Sequence, residues 1–232
     1  MTVGAGGVFY AAFLSRYATV FSYRIEGTEI DFKKDFDELA PAIFGIRLPQ
    51  NILFLNTEGA AALLREKYPQ LASVAVHKDL TEKRVEISVS ARSRDIIWCA
   101  PSQCYWMDKS GIIFEEAPET AGLLIVRIND VTKEEYAFGE MPLEPQRLAR
   151  ILRFVEVLRA HALGWDSITL KNRQMSEVVV LLAGGAEVRF NLLSTSDKLY
   201  DAFLKIASEV NMADIDYFDL TVEDRIYYRE RK

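Results

Sequence analysis

The sequence predicts an α+β protein with a small β-α-β-β domain, followed by a larger, mostly antiparallel β domain with two helices. Three observations predict this class: short runs with alternating apolar residues, a few stretches with helical spacing, and turn residues between them. Of the 232 residues, 50% are hydrophobic and 27% are charged, which is typical of folded rather than disordered chains. The predicted domains span residues 17–94 and 95–232.

The first domain begins with alternation after Tyr17, and Gly27 closes this first strand. A helix is predicted from Thr57 to Tyr68, because Thr57 can cap its start and Pro69 cannot continue it. Two further alternating runs follow, with a polar turn between them. Their apolar positions are Val74 and Val76, then Val85, Ile87 and Val89.

The second domain contains a series of short runs that predict strands, and two helices. The helices are predicted over Glu144 to Leu163 and after the cap Ser196. Gly184-Gly185 predicts a tight hairpin. The strand runs are Ile96 to Cys99, Cys104 to Met107, Ile112 to Phe114, Leu123 to Ile128, Ile168 to Leu170, Val178 to Ala183, Glu187 to Leu193, Ile215 to Leu220 and Arg225 to Tyr228.

The chain opens with an apolar run, Val3 to Leu14, which contains no charge and ends before Arg16. A membrane-spanning helix needs ~20 apolar residues, so the run is too short alone. No Lys or Arg precedes it, which argues against a signal peptide. We expect residues 1–16 to be the end of a transmembrane helix that begins outside this chain. The alternative is a buried or frayed N-terminal segment of a soluble protein.

Composition disfavours several functions. The net charge of -6 argues against a sequence-independent nucleic-acid binder, which needs a basic surface. Two Cys and two His cannot supply a four-ligand zinc site without carboxylates. Neither His77 nor His161 has a nucleophile placed beside it beyond chance. The sequence therefore predicts a non-enzymatic binding protein without a catalytic residue, cofactor or metal.

The two cysteines flank a predicted hairpin turn. Cys99 and Cys104 would then sit opposite each other, with Cα atoms ~4.5–5.5 Å apart, which suits a disulfide. Such a bridge would contribute roughly 2 kcal/mol in the chain-entropy model. Two buried free thiols and a metal-binding pair remain as alternatives. Redox catalysis is disfavoured, because it uses C-x-x-C at a helix start.

Four segments together point to a known family. They are Tyr23-Arg24-Ile25-Glu26-Gly27; Tyr68 to Val76 with Arg84 to Val89; Tyr105-Trp106-Met107-Asp108 with Gly111 and Phe114; and Asp216 to Leu220 with Arg225 to Tyr228. In this order and spacing the chain resembles the FtsQ/DivIB family of bacterial cell-division proteins. It departs from the family's pattern at Thr221, where an Arg is usual.

The resemblance implies a single-pass protein of the cell membrane, anchored by its N-terminal helix, with a POTRA domain and a β domain outside the cytoplasm. It implies a role in assembling the division machinery, by binding FtsB/DivIC-type and FtsL-type membrane proteins. In the family the partner adds a strand to the C-terminal sheet edge, and no nucleic acid or small-molecule substrate is involved. The implied contact residues are Tyr217, Leu220, Val222, Arg225, Ile226, Tyr227, Tyr228 and Arg173.

Other interpretations remain open at this point. Tyr227 could pack on its own core with a solvated tail behind it, and Arg173 could be an ordinary surface residue. A POTRA-bearing transport or secretion component would instead bind substrate or chaperone strands at the POTRA edge. An enzyme would show a cleft with convergent carboxylates.

Overall fold

A computed structural model of the chain describes residues 22–27, 30, 32, 34–35, 42–43, 46–47, 52–53, 55–119, 125–174, 176–194 and 196–231. The predicted membrane segment, residues 1–16, lies outside the described residues. The chain divides into two compact units, one ending at Arg92 and the other beginning at Ser93. The predicted α+β class is confirmed. No helix in the described ranges is both long and apolar enough to cross a membrane.

Among the described residues, the first unit contains a three-stranded sheet and a helix that packs on it. Its elements are β1 (Ser22–Glu26), β2 (Ala42–Ile43), β3 (Ile46–Arg47), α1 (Thr57–Lys67), β4 (Leu71–Asp79) and β5 (Arg84–Ala91). The strand order is β1-β5-β4, with β5 parallel to β1 and antiparallel to β4, and β2 and β3 form a separate short pair.

The first unit is held together by burial of alternate residues of β4 and β5 against the helix. Val76, Val85 and Ile87 face the core, where Leu64 of α1 is fully buried. The helix is capped one residue earlier than the sequence predicted, because the Asn56 side chain, not Thr57, accepts the Gly59 N–H at 3.0 Å.

In its described residues, the second unit contains a nine-stranded sheet, two α-helices and a short 3-10 helix, Met212–Asp214. Its elements are β6 (Ile96–Cys99), β7 (Cys104–Met107), β8 (Ile113–Glu116), β9 (Val126–Asp130), α2 (Pro145–Ala160), β10 (Trp165–Asn172), β11 (Glu177–Leu182), β12 (Glu187–Asn191), α3 (Asp197–Glu209), β13 (Ile215–Asp219) and β14 (Tyr227–Glu230). The strand order is β14-β13-β12-β11-β10-β9-β6-β7-β8.

The large sheet is mixed, with a majority of antiparallel pairs. The parallel pairs are β6 with β9, β9 with β10, and β12 with β13. Two of them are joined through a helix: α2 connects β9 to β10, and α3 connects β12 to β13. Parallel neighbours require such crossover connections, whereas hairpins join the antiparallel strands.

Both helices bury their apolar stripes against one face of this sheet, which we call the helix-covered face. Phe154 of α2 lies at the centre of an aromatic group, with ring centroids 4.9 Å from Phe190, 5.0 Å from Tyr200 and 5.8 Å from Phe203. All four side chains are buried. Aromatic burial of this extent fixes α3 on the sheet and so positions the strands that follow it.

The two ends of the large sheet differ. At one end, a loop bonds to the outer side of the first residue of β8: the Ile113 N–H donates to the Glu140 carbonyl at 3.0 Å, and the Gly139 N–H donates to the Ile113 carbonyl at 2.7 Å. At the other end, β14 pairs with β13 and with no other strand that the structure describes.

Candidate partner-binding edge

The last strand, β14, lies at the edge of the sheet and is exposed along its whole length. It is antiparallel to β13, with Tyr228 opposite Phe218 and Tyr227 opposite Asp219. An edge strand presents backbone N–H and C=O groups that another strand can pair with. This geometry makes β14 the candidate functional site of the chain.

The hydrogen bonds of the chain end show which backbone groups point outward. The Arg231 N–H donates to the Asp214 carbonyl at 2.7 Å, toward β13. Backbone groups alternate in direction along a strand, so Arg229 also bonds toward β13. The N–H and C=O groups of Tyr228 and Glu230 therefore face away from the sheet, where an added strand would lie.

The side chains of β14 supply contact surface on both faces. Tyr228 lies beside Phe218, with ring centroids 6.0 Å apart, and extends the aromatic surface of the helix-covered face. Tyr227 lies on the opposite face. Both tyrosines are about half exposed, at 48% for Tyr227 and 47% for Tyr228. Partly exposed tyrosines are favoured at protein interfaces because they bury a large area at low entropic cost.

On the opposite face, Tyr217 is held between two arginines. The guanidinium carbons of Arg189 and Arg229 lie 4.6 Å and 4.9 Å from the centre of its ring. Glu187 binds Arg189 at 2.6 Å, and Asp216 binds Arg229, with its Oδ2 2.9 Å from Nε. Hydrogen bonding to Asp216 raises the pKa of Arg229, so this cation stays charged at every practical pH.

Two of the predicted contact residues belong to the core. Leu220 has no exposed surface and packs on the helix-covered face, so its side chain is not available to a partner. Ile226 is partly buried and packs against the same core. Val222 and Arg225 lie in the connection between β13 and β14 and are exposed.

Arg173 does not join this group. It follows β10, and four strand spacings separate β10 from β14, which is about 19 Å across the sheet. Its guanidinium binds the Asp130 carboxylate at 2.7 Å and contacts the Tyr136 hydroxyl. The structure thus places Arg173 away from the β14 edge, and the resemblance had assigned it to another contact region of the family.

The alternating pattern could have revealed residues that the sequence interpretation missed. Arg189, Asp216 and Arg229 surround Tyr217, yet none was among the predicted contacts. Glu187 and Arg189 alternate on β12, which is the signal of a polar strand face. What the sequence does not contain is the order β12-β13-β14, which places these three strands side by side.

The cysteines form a disulfide. Cys99 and Cys104 are directly opposed in the β6–β7 hairpin, as predicted, and are bonded to each other. Both are buried, with 4% and 3% exposure. The bridge closes a hairpin at the far end of the sheet from β14.

Within the described ranges, no group of three or more His, Cys, Asp or Glu side chains is placed to hold a metal ion. A comparison of the sequence with models of known protein families finds no match, and a comparison with curated proteins finds none either.

Proposed function

We propose that the chain is a non-enzymatic cell-division scaffold of the FtsQ/DivIB type, which binds FtsB/DivIC-type and FtsL-type membrane proteins by adding a partner strand to β14. The observation that carries the proposal is the exposed β14 edge at the end of the nine-stranded sheet. A partner strand would pair with the outward backbone groups of Tyr228 and Glu230, and its side chains would contact Tyr227 and Tyr228.

Other features are compatible with this proposal. Apart from the short β2–β3 pair, the described elements of the first unit follow the order strand, helix, strand, strand that is expected of a POTRA domain. The Cys99–Cys104 disulfide suits an oxidising compartment outside the cytoplasm. In this proposal residues 1–16 contribute to the membrane anchor, and both units lie on the outer side of the membrane.

The test is a proline in the edge strand. Tyr228→Pro removes an outward N–H but no bond to β13, and proline is tolerated where the N–H of an edge strand faces solvent. We expect binding of the FtsB/DivIC-type protein from the same organism to be lost in isothermal titration calorimetry, while tryptophan fluorescence shows the β domain still folded.

The matched control is Tyr228→Phe, which keeps the backbone donor and most of the contact area. It should bind within a few-fold of the natural chain. Ile226→Glu would be a poor substitute, because Ile226 packs against the core and its loss would disturb the fold. A Tyr228→Pro protein that binds with unchanged affinity would rule out strand addition at β14.

A second candidate is a POTRA-bearing transport or secretion component. It is favoured by β4, which pairs with β5 and with no other strand that the structure describes. Substrate or chaperone strands would then pair with β4, and Tyr228→Pro would leave binding unchanged. Truncation after Leu193 is a less clean test, because it removes the core residues Phe203 and Phe218.

A further inference from the structure

A second feature of the large sheet lies away from β14, where two parallel strands end side by side. β9 and β10 are in parallel register, with Leu170 beside Asp130. The chain after β9 forms one wall of an open cleft of about 490 Å³, and the end of β10 with the residues after it forms the other. The lining residues are Thr132, Lys133, Lys171, Asn172, Arg173 and Gln174. Carboxyl ends of adjacent parallel strands are where open α/β sheets hold ligands.

The lining of this cleft is cationic. Lys133, Lys171 and Arg173 contribute positive charge, the other three residues are neutral hydrogen-bonding groups, and none of the lining residues that the structure describes is a carboxylate. The whole chain carries a net charge of -6, so this concentration of cations runs against its overall composition. Cations together with neutral donors are the groups that recognise oxyanions.

The buried carboxylate of Asp130 holds the Arg173 guanidinium in place. The Asp130 side chain is fully buried and accepts hydrogen bonds from the Thr132 N–H at 2.8 Å, from the Thr132 hydroxyl at 2.6 Å and from Arg173 at 2.7 Å. The Tyr136 hydroxyl donates to the same carboxylate. These donors occupy the carboxylate, so its function is to orient the guanidinium rather than to bind a metal.

The guanidinium keeps unused donors. The side-chain bonds of Arg173 to Asp130 and Tyr136 both come from one terminal nitrogen, Nη2, while its buried Nε has no hydrogen-bond partner among the described residues. A buried donor without a partner costs free energy, which an added acceptor would recover. The planar fork of Arg suits two oxygens of one anion.

Lys171 and Lys133 add positive charge that can bind an anionic ligand in the cleft. Lys171 is exposed and forms no ion pair with a residue that the structure describes. Lys133 binds Glu140 at 2.6 Å and lies over the Tyr136 ring, but both ion-pair partners are 42% exposed. An exposed pair of this kind contributes only ~0–1 kcal/mol, so Lys133 can turn toward an incoming anion.

We propose that this cleft binds a phosphate-bearing ligand, with Arg173 and Lys171 on one wall and Lys133 on the other contacting the phosphate oxygens. A phosphate group presents several charged oxygens at once, which matches cations placed on two walls better than a single carboxylate does. Thr132, Asn172 and Gln174 would bind the polar remainder of the ligand. The phosphate could come from a soluble molecule or from a phospholipid headgroup, and the chemistry of recognition is the same.

The direct test titrates inorganic pyrophosphate into the full chain at low salt, followed by calorimetry. We expect saturable binding that Lys171→Gln weakens by about tenfold, because a charge-assisted contact is lost. Arg173→Lys keeps the charge but not the fork, and should also weaken binding. The control, Lys205→Gln, removes an exposed lysine of α3 and should leave affinity unchanged.

A second arm separates the two sources. Vesicles of phosphatidylcholine with phosphatidylglycerol are sedimented with the protein, and phosphatidylcholine vesicles serve as the reference. Co-sedimentation that requires Lys171 and is reversed by pyrophosphate supports a lipid headgroup, whereas pyrophosphate binding without co-sedimentation supports a soluble ligand. Absence of saturable binding to both probes, or equal loss with Lys205→Gln, would overturn the proposal.

Discussion

The guanidinium of Arg229 in β14 lies over the ring of Tyr217 in β13, 4.9 Å from its centre. Arg189 occupies the other neighbouring strand, 4.6 Å from the same ring. One aromatic side chain therefore connects three strands on the face away from the helices. The contact holds the edge strand in place, and under the proposed function this would lower the entropy cost of adding a partner strand.

Tyr217→Leu should reveal how much the contacts of Arg189 and Arg229 with the Tyr217 ring contribute to stability. Leucine keeps apolar bulk but has no π face, so both cation–π contacts disappear, and we expect the free energy of unfolding to fall by about 1 kcal/mol. Tyr227→Leu is the matched control, since Tyr227 is exposed, and its effect should be within about 0.5 kcal/mol. Urea unfolding followed by tryptophan fluorescence measures both, and equal losses would contradict this role for Tyr217.

Tyr200 should make stability depend on pH in alkaline solution. Burial raises the pKa of its phenol from 10.0 to about 12. Below pH 10 the phenol is protonated in both the folded and the unfolded chain. Between pH 10 and about 12 only the unfolded chain loses the proton, so stability falls as pH rises, by on the order of 3 kcal/mol. Tyr200→Phe should remove this part of the decline in urea unfolding measured across that range.

The same substitution has an expected result at neutral pH. The Tyr200 hydroxyl is buried and has no hydrogen-bond partner among the described residues, so Tyr200→Phe should leave stability unchanged or raise it by about 1 kcal/mol. Tyr136→Phe is the matched control: its hydroxyl binds Asp130, and its loss should cost about 1–3 kcal/mol. Destabilisation of equal size in the two variants would refute the distinction.

Gly27 should be indispensable to the first unit. Its φ is +93°, and a Cβ there would lie 2.1 Å from the Val89 carbonyl oxygen. Gly27→Ala is expected to destabilise this unit by about 2 kcal/mol or more. Gly184→Ala is the control, because φ there is not positive and the nearest atom would be 3.7 Å away.

The tryptophans make this measurement specific to each unit. All three lie in the second unit, at positions 98, 106 and 165. Gly27→Ala should therefore lower the thermal midpoint seen by far-ultraviolet circular dichroism and leave the fluorescence midpoint in place. A shift of the fluorescence midpoint by the same amount would contradict separate unfolding of the two units.

Local sequence patterns predicted much of the secondary structure. Alternation predicted most strands because the side-chain period of a strand is two, and the turn between Cys99 and Cys104 predicted their pairing. Strand order could not be predicted, because the pattern of β9 does not reveal that its neighbours are β6 and β10. The separation of Arg173 from β14 follows from that order.

Leu220 is buried because of a local irregularity in β13. A β-bulge shifts the register between Ile215 and Tyr217, so Ile215 and Phe218 both face the core although three positions separate them. Leu220, two residues beyond Phe218, then faces the core as well. Strict alternation from Ile215 places Leu220 on the wrong face, and a bulge of this kind has no reliable sequence signal.

The unequal ends of the nine-stranded sheet limit how copies of this chain could associate. The loop bonded to Ile113 occupies the start of the β8 edge, so less of that edge than of β14 is open to a second copy. Two copies that met β14 against β14 would form a two-fold arrangement that uses both β14 edges. Such a dimer would compete with any foreign strand for the same backbone groups.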